Sequence, residues 1–540
     1  MQAAGIHHVE LILLLLLALV AVLAVIAKKV RIAYPIVLMM GGLLLSLVPH
    51  VPRISLNPNV FVLVILPPLI FSAAFRTSWR DFRENLFTIV MLAFGLVGFT
   101  IYGVALTSRW LLPGFDWKQG LVLGSVVAAT DAIAATATAK RLGLPRRIVD
   151  ILEAESLVND GSGLVALKFT LAMLVTGVTP SIPAGILNLL YVVFAAVAIG
   201  LAVGLVIHIF QRHIHEAPIE ITISLLTPYI SYLAAESIGC SGVLATIACG
   251  LYLGRRSSDY FSLRARMEAS AVWNTLDFIL NGIVFLLLGL QLPLIRAGIE
   301  TLSAHEVMLD GVWFSLIVIV LRLLWVYPGV WISRQIYRLL WHKEPEPFSR
   351  RSIFLIGWAG MRGVLALAAA SSLPERLHDG APFSNRNLII FLTFCVIFAT
   401  LVMQGLSLPP IMRALGLAGA AASQQERQWA RRQMIVAALK ALENLREQGR
   451  VEDAEIYDEL DRYYRRQLVL LEDAPAPERE QSEHELLKRR QIAQQLRDIE
   501  RSVALRLRAE NQIHDEVLRH LERELDLLDA RFGASQWGWE

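Results

Sequence analysis

One stretch of the chain groups residue types that could hold a small cation: Glu153-Ala-Glu155-Ser156-Leu-Val-Asn159-Asp160-Gly-Ser-Gly163. Ser156, Asn159, Asp160 and Gly163 stand at i, i+3, i+4 and i+7, so a helix places them on one face. That face offers a hydroxyl, an amide and a carboxylate beside a glycine that permits close approach. Hard oxygen ligands of this kind suit an ion such as Na+. A second stretch, Ala-Thr130-Asp131-Ala132-Ile-Ala-Ala-Thr, supplies another acid among small residues. A third, Gly357-Trp-Ala-Gly360-Met-Arg362-Gly363, sets an arginine among three glycines.

These groups lie in apolar surroundings. Of the 540 residues 55% are hydrophobic and 18% charged, with a mean hydropathy of +0.53. A soluble chain carries about 25% charge, so this composition excludes an ordinary soluble enzyme and a disordered protein. The charge is also uneven, with 45 of the 97 charged residues in the last 124 positions. The chain therefore divides into a membrane domain, 1–416, and a water-soluble helical tail, 417–540. The overall net charge of +3 averages the two parts and gives no sign of nucleic-acid binding. Cys240, Cys249 and Cys395 lie in apolar runs and read as small buried hydrophobes.

A spanning helix needs about 20 mostly apolar residues. Thirteen segments qualify, near 8–27, 34–50, 58–75, 85–107, 119–140, 150–177, 183–208, 219–236, 241–254, 271–293, 308–336, 352–373 and 387–411. Lys and Arg concentrate in the odd-numbered loops, among them Arg146, Arg147, Arg255, Arg256, Arg350 and Arg351. The positive-inside rule then puts the N-terminus outside and the tail in the cytoplasm. Lys28, Lys29 and Arg31 follow the first apolar run instead of preceding it, which favours a first spanning helix over a cleaved signal peptide.

Ionisable groups in mid-membrane are costly and mark function. Asp160 falls ~16 Å from the cytoplasmic end of the sixth span, and Asp131 ~18 Å from the outer end of the fifth. Two carboxylates on adjacent spans thus meet near the midplane. The Thr130 and Gly360 stretches read as interrupted helices, the fifth and twelfth spans. With thirteen spans divided as six, one and six, these two occupy corresponding places in two inverted repeats. Asp131 and Arg362 would then compensate the freed helix ends. Glu155 looks away from the Asp160 face and is expected to pair with Arg362. Arg322 is a further candidate, in a structural or a functional role. Glu153 is expected in a vestibule, Asp277 with Asn281 at an interface or funnel, and Lys168 at a cavity or snorkelling to the surface. The triplet at 213–215 is only superficially a metal pair.

In the tail, Tyr457, Leu460, Tyr464 and Leu468 follow helical spacing, as do Leu518, Leu521, Leu525 and Leu528. Breaks are expected at Gly449 and at 473–478. The tail either packs on itself or binds a regulator.

The segments 66–76, 129–136, 153–167, 225–254, 357–368 and 400–410, in this order, give the chain a specific resemblance. Over about residues 5–415 it resembles bacterial sodium/proton exchangers of the cation:proton antiporter 1 family, the Asn-Asp branch related to animal sodium/proton exchangers. The resemblance implies a homodimer in the bacterial inner membrane, with a six-helix core that moves against a dimerisation domain. It implies an ion site of Asp160, Asp131, Ser156, Asn159 and the Thr130 carbonyl, with Na+ held at Asp160, Asp131 and Ser156, and a structural pair of Glu155 with Arg362. Many relatives carry Pro after the Thr-Asp pair, where this chain has Ala132.

The expected activity is electroneutral exchange of one cation for one proton by alternating access, serving pH and Na+ homeostasis, with no cofactor and no enzymatic step. Burial disfavours a bare carboxylate and a cation favours it, so the two ions compete for Asp160. Ligand types leave Li+ and K+ open, and a potassium/proton antiporter is the alternative. A passive cation channel fits less well, since no TVGYG-like filter is present. No HExxH or GxSxG segment suggests a hydrolase.

Overall fold

The computed structural model describes residues 2–49, 58–112, 114–176, 182–299, 304–341, 348–376, 382–383, 385–417, 421–448 and 454–469. It also describes 499–500, 502–503, 506 and 510. Among them there is no strand, only a bridge between Arg376 and Pro382. Long apolar runs leave the backbone no partner but itself in a membrane, and helices are the result.

The chain forms two compact units, 1–419 and 420–540. In the first, α1 (Gln2–Val30) turns at Arg31, whose φ is +61°, into α2 (Tyr34–Ser46). Then come α3 (Pro58–Arg76), α4 (Trp79–Glu84) and α5 (Leu86–Leu111). The next apolar run is split in two, α6 (Trp117–Ala128) and α7 (Ile133–Arg141). Asp116 caps α6 by accepting the Gln119 N–H at 2.7 Å. After these follow α8 (Arg146–Thr176), α9 (Ile182–Gln211), α10 (Ala217–Glu236), α11 (Gly242–Tyr260), α12 (Leu263–Leu290) and α13 (Ala304–Trp341). A second split run gives α14 (Arg350–Trp358) and α15 (Val364–Ser371), and α16 (Arg386–Ala414) closes the unit.

Nine helices among the described residues are long and apolar enough to cross a membrane, and α2 is a shorter apolar helix. The expected spans at 219–236, 241–254 and 352–373 fall on α10, α11 and the split pair α14–α15, which are not among the nine. The first two give part of their length to polar groups, since Glu220, Thr227, Ser231 and Thr246 are fully buried.

Wide π-turns interrupt α3 at 61–65, α5 at 91–95 and α16 at 400–404. Each frees backbone groups from the regular ladder. At the second, the Trp325 indole donates to the Met91 carbonyl at 3.0 Å. α2 and α12 pack backbone to backbone, because a Cβ on Gly289 would lie 2.2 Å from the Met39 carbonyl oxygen.

The second unit contains α17 (Ala421–Gln448) and α18 (Ala454–Val469), bridged by Arg446 and Asp458 at 2.9 Å. Tyr457, Leu460, Tyr464 and Leu468 lie on α18. Gly449, residues 473–478 and the Leu518–Leu528 series lie outside the described residues.

Candidate cation site

The site is built on the two split helices. After Ala128 the chain turns extended at Ala129 (φ −61°, ψ 135°) and resumes helix at Ile133. It does so with Ala132 in place of a proline. After Trp358 it leaves helix again until Val364, with Gly363 fully extended. The two extended pieces cross, and the Asp131 N–H donates to the Met361 carbonyl at 2.8 Å. At the crossing, Thr400 of the third π-turn accepts the Arg362 N–H at 3.0 Å.

Four helix ends therefore converge, two with unpaired N–H groups and two with unpaired carbonyls. Asp131 serves the first kind. Its Oδ1 accepts the Ile133 N–H at 2.8 Å at the start of α7. Its carboxylate also rests on Gly363 ahead of α15, where an added Cβ would lie 2.3 Å from Oδ2. Arg362 serves the second kind. Its Nε donates to the Val127 carbonyl at 2.7 Å and one Nη to the Gly360 carbonyl at 2.9 Å. An acid at helix N-termini and a base at C-termini is the favourable arrangement for the helix dipoles.

α8 supplies the remaining groups. Ser156 donates to the Thr130 carbonyl at 2.9 Å and accepts the Ala132 N–H at 3.1 Å, fastening the first break from below. Gly163 lets α8 approach, with its Cβ position 3.3 Å from that of Ala129. Thr130, Asp131, Ser156 and Asp160 all line one cavity of about 250 Å³. The structure thus brings Thr130, Asp131, Ser156 and Asp160 together around one cavity.

Two expectations are corrected. Glu155 does not pair with Arg362. It takes both guanidinium arms of Arg322, at 2.6 and 2.8 Å, in a pocket where neither side chain is more than 2% exposed. Arg322 also donates to the carbonyls of Gly357 and Ile356 at 3.0 and 3.1 Å, at the end of α14. Arg362 is drawn to carbonyls that the breaks leave open, and both carboxylate oxygens of Glu155 are taken by Arg322. Asn159 is the second correction. It is fully buried and is not among the residues lining the cavity. Its amide N–H donates to the Thr130 hydroxyl at 3.0 Å, so it supports the break, while its Oδ1 is buried with no hydrogen-bond partner among the described residues.

Glu153 lines the same cavity and pairs with Lys140 at 2.6 Å. Asp277 and Asn281 line it as well. Lys168 pairs with Glu236 at 2.9 Å in a separate cavity of about 900 Å³. Among the described residues no His/Cys/Asp/Glu group has the makings of a metal centre, the 213–215 triplet included. Cys240 and Cys249 are buried, while Cys395 is half-buried. Sequence reasoning missed Thr400 and Met361, which act through a hydroxyl and a backbone carbonyl. A glycine-rich break beside an arginine was the only signal for them.

Residues 14–414 match the family described as sodium/hydrogen exchanger, transmembrane. An uncharacterized Na+/H+ exchanger of Mycobacterium tuberculosis is 33% identical over 513 residues, covering 93% of this chain and 92% of its own. A sodium, potassium, lithium and rubidium/H+ antiporter of Bacillus pumilus is 32% identical, covering 78% of this chain and 64% of its own. Among solved structures, the sodium proton antiporter MjNhaP1 of Methanocaldococcus jannaschii shares the fold. Its TM-score is 0.58 at 19% identity, covering 77% of this chain and 100% of that one. With a profile that spans most of the membrane unit and relatives that extend along nearly the whole length, the chain belongs to the transmembrane sodium/hydrogen exchanger family, a family of multi-pass membrane antiporters.

Proposed function

We propose that the protein exchanges one Na+ for one H+ at Asp160 by alternating access. One observation carries this reading: Asp160 and Asp131 line one cavity with Thr130 and Ser156, at the crossing of two interrupted helices. A desolvated carboxylate that no backbone dipole compensates must be protonated or paired with a cation. Asp160 in its acid form releases its proton when Na+ arrives. The carboxylate then holds Na+ with oxygens from Thr130, Ser156 and Asp131. Each crossing of the barrier therefore carries one ion or the other, and never a bare charge.

Asp131 stays anionic in this scheme because two helix N-termini already stabilise it. That leaves a single titrating carrier and makes the exchange electroneutral. Glu155 with Arg322, and Arg362 with the Val127 and Gly360 carbonyls, hold the crossing together while the carrier cycles. The reading includes thirteen spans in two inverted repeats, a homodimer in the bacterial inner membrane, an outer N-terminus and a cytoplasmic tail. Its service to the cell is pH and Na+ homeostasis.

The Bacillus pumilus relative's name includes K+, Li+ and Rb+, so K+/H+ exchange on the same architecture is the second reading. The test is ²²Na+ uptake into proteoliposomes against an outward proton gradient, for wild type and Asp160→Asn, with Li+ and K+ as competitors. Wild-type uptake that Asp160→Asn abolishes supports the reading. Uptake that persists in the variant, or that proceeds without a proton gradient, defeats it.

A further inference from the structure

The cavity that reaches Asp131 and Asp160 contains a second group of oxygens, and the exchange reading gives them no task. Asp277 on α12 accepts the Ser72 hydroxyl at 2.6 Å and the Arg76 guanidinium, both at Oδ2. Its Oδ1 is buried and has no hydrogen-bond partner among the described residues. One turn along the same helix, Asn281 is 8% exposed and lines the same cavity. Buried polar atoms are almost always satisfied. An unpartnered carboxylate oxygen, an amide and a hydroxyl that also accepts the Arg76 guanidinium at 2.7 Å, all from residues lining one cavity of about 250 Å³, form a hard-oxygen donor set suited to a monovalent cation.

The Arg76 side chain is 50% exposed, against 17% for Asp277. Its guanidinium, on a long flexible stem, can leave for water without unpacking a helix. Arg76 and a metal cation present the same charge to the same carboxylate, so only one is needed there at a time. We propose that Asp277, Asn281 and Ser72 form a waiting site for a partly dehydrated monovalent cation, and that Arg76 is a tethered counter-cation which an arriving ion displaces. The proposal rests on the exchange reading for its purpose, since the waiting site would feed Asp160. Its occupancy can be tested without transport.

A pair with a merely structural role and a waiting site with a competitor give different signs. If the pair only held α3 to α12, loss of either partner would act in one direction. If Arg76 competes with the ion, Arg76→Gln lowers the half-saturating Na+ concentration of exchange about threefold or more. Asp277→Asn removes the attraction and raises it about tenfold, the scale on which a charged cleft concentrates counter-ions. Opposite shifts support the waiting site; shifts of the same sign, or none, overturn it.

Equilibrium ²²Na+ binding to purified Asp160→Asn protein separates this outcome from the fate of the exchange reading. Binding should persist there, tighten when Arg76→Gln is added, and disappear when Asp277→Asn is added. Absence of binding in Asp160→Asn, or insensitivity to Arg76→Gln, rejects the waiting site even where wild-type exchange is intact. Should Asp277→Asn fail to fold, the Arg76→Gln result alone decides, with unchanged or weaker Na+ binding counting against the proposal.

Discussion

Arg322 and Glu155, 167 residues apart in the chain, meet through two parallel hydrogen bonds of 2.6 and 2.8 Å in a fully buried setting. The fork geometry satisfies both carboxylate oxygens, and the guanidinium continues to the Gly357 and Ile356 carbonyls. The pair thereby joins α8, which carries Asp160, to α13 and to the end of α14.

Breaking such a pair from one side leaves a buried charge without its partner, at about 3–5 kcal/mol. Glu155→Gln and Arg322→Gln should each lower the melting temperature in detergent. The double variant should be less damaged than the sum of the two. Thermal melts of all four proteins check this, and wild-type stability in either single variant would contradict it.

Gly360 makes room for Arg322, since a Cβ there would lie 1.7 Å from the guanidinium Nε. Gly360→Ala is expected to destabilise the protein by about 1–3 kcal/mol, as overpacking does. In an Arg322→Ala background the space is vacant, so the same substitution should cost much less. A double-mutant cycle measures the coupling, and additive effects would show that the two positions do not share the space.

Gly363→Ala should act on transport more than on folding. Its Cβ would meet the Asp131 carboxylate at 2.3 Å and push it away from the start of α7. The expectation is exchange reduced at least about tenfold, the effect of misplacing a positioned group by about 1 Å, with the elution profile of folded protein retained. Normal exchange in Gly363→Ala would mean that the position of Asp131 is not critical.

Electroneutral exchange predicts indifference to voltage. Moving a net charge through 100 mV is worth ~2.3 kcal/mol, and a cycle of one cation against one proton moves none. Clamping the potential with valinomycin and K+ should leave Na+-driven proton flux unchanged. A flux that follows the potential would identify a second proton carrier, with Asp131 the first suspect.

Competition at Asp160 predicts that the acid limb of the pH profile moves with Na+. A cation favours the ionised carboxylate, so more Na+ lets exchange continue at lower pH. Fluorescent-dye proton flux at three Na+ concentrations reads the shift, and a fixed profile would argue for separate sites.

Much of the site was legible because helical spacing is local. The i, i+4 relation of Ser156 and Asp160 and the glycine-rich breaks near Thr130 and Gly360 required no tertiary knowledge. The partner of Glu155 was not legible, because Arg322 and Arg362 are both arginines in apolar segments and sequence does not rank them. What decides is that Arg362 stands on the break itself, beside carbonyls that need a donor. Asn159 misled for a related reason. A helical face is wide enough to hold Asp160 at the cavity and Asn159 behind its wall.

The joint between Asp131 and Met361 has a consequence for how such a transporter can diversify. It is made by an N–H and a carbonyl, groups that every residue except proline brings in full. A non-proline substitution at either position therefore leaves this one hydrogen bond available, although at Asp131 it also removes the carboxylate that accepts the Ile133 N–H. The backbone joint is thus open to any such pair of residues, whereas the side chains of Asp131, Ser156 and Arg362 tie the crossing to the chemistry beside it, so new selectivities are least disruptive at lining positions that hold neither break.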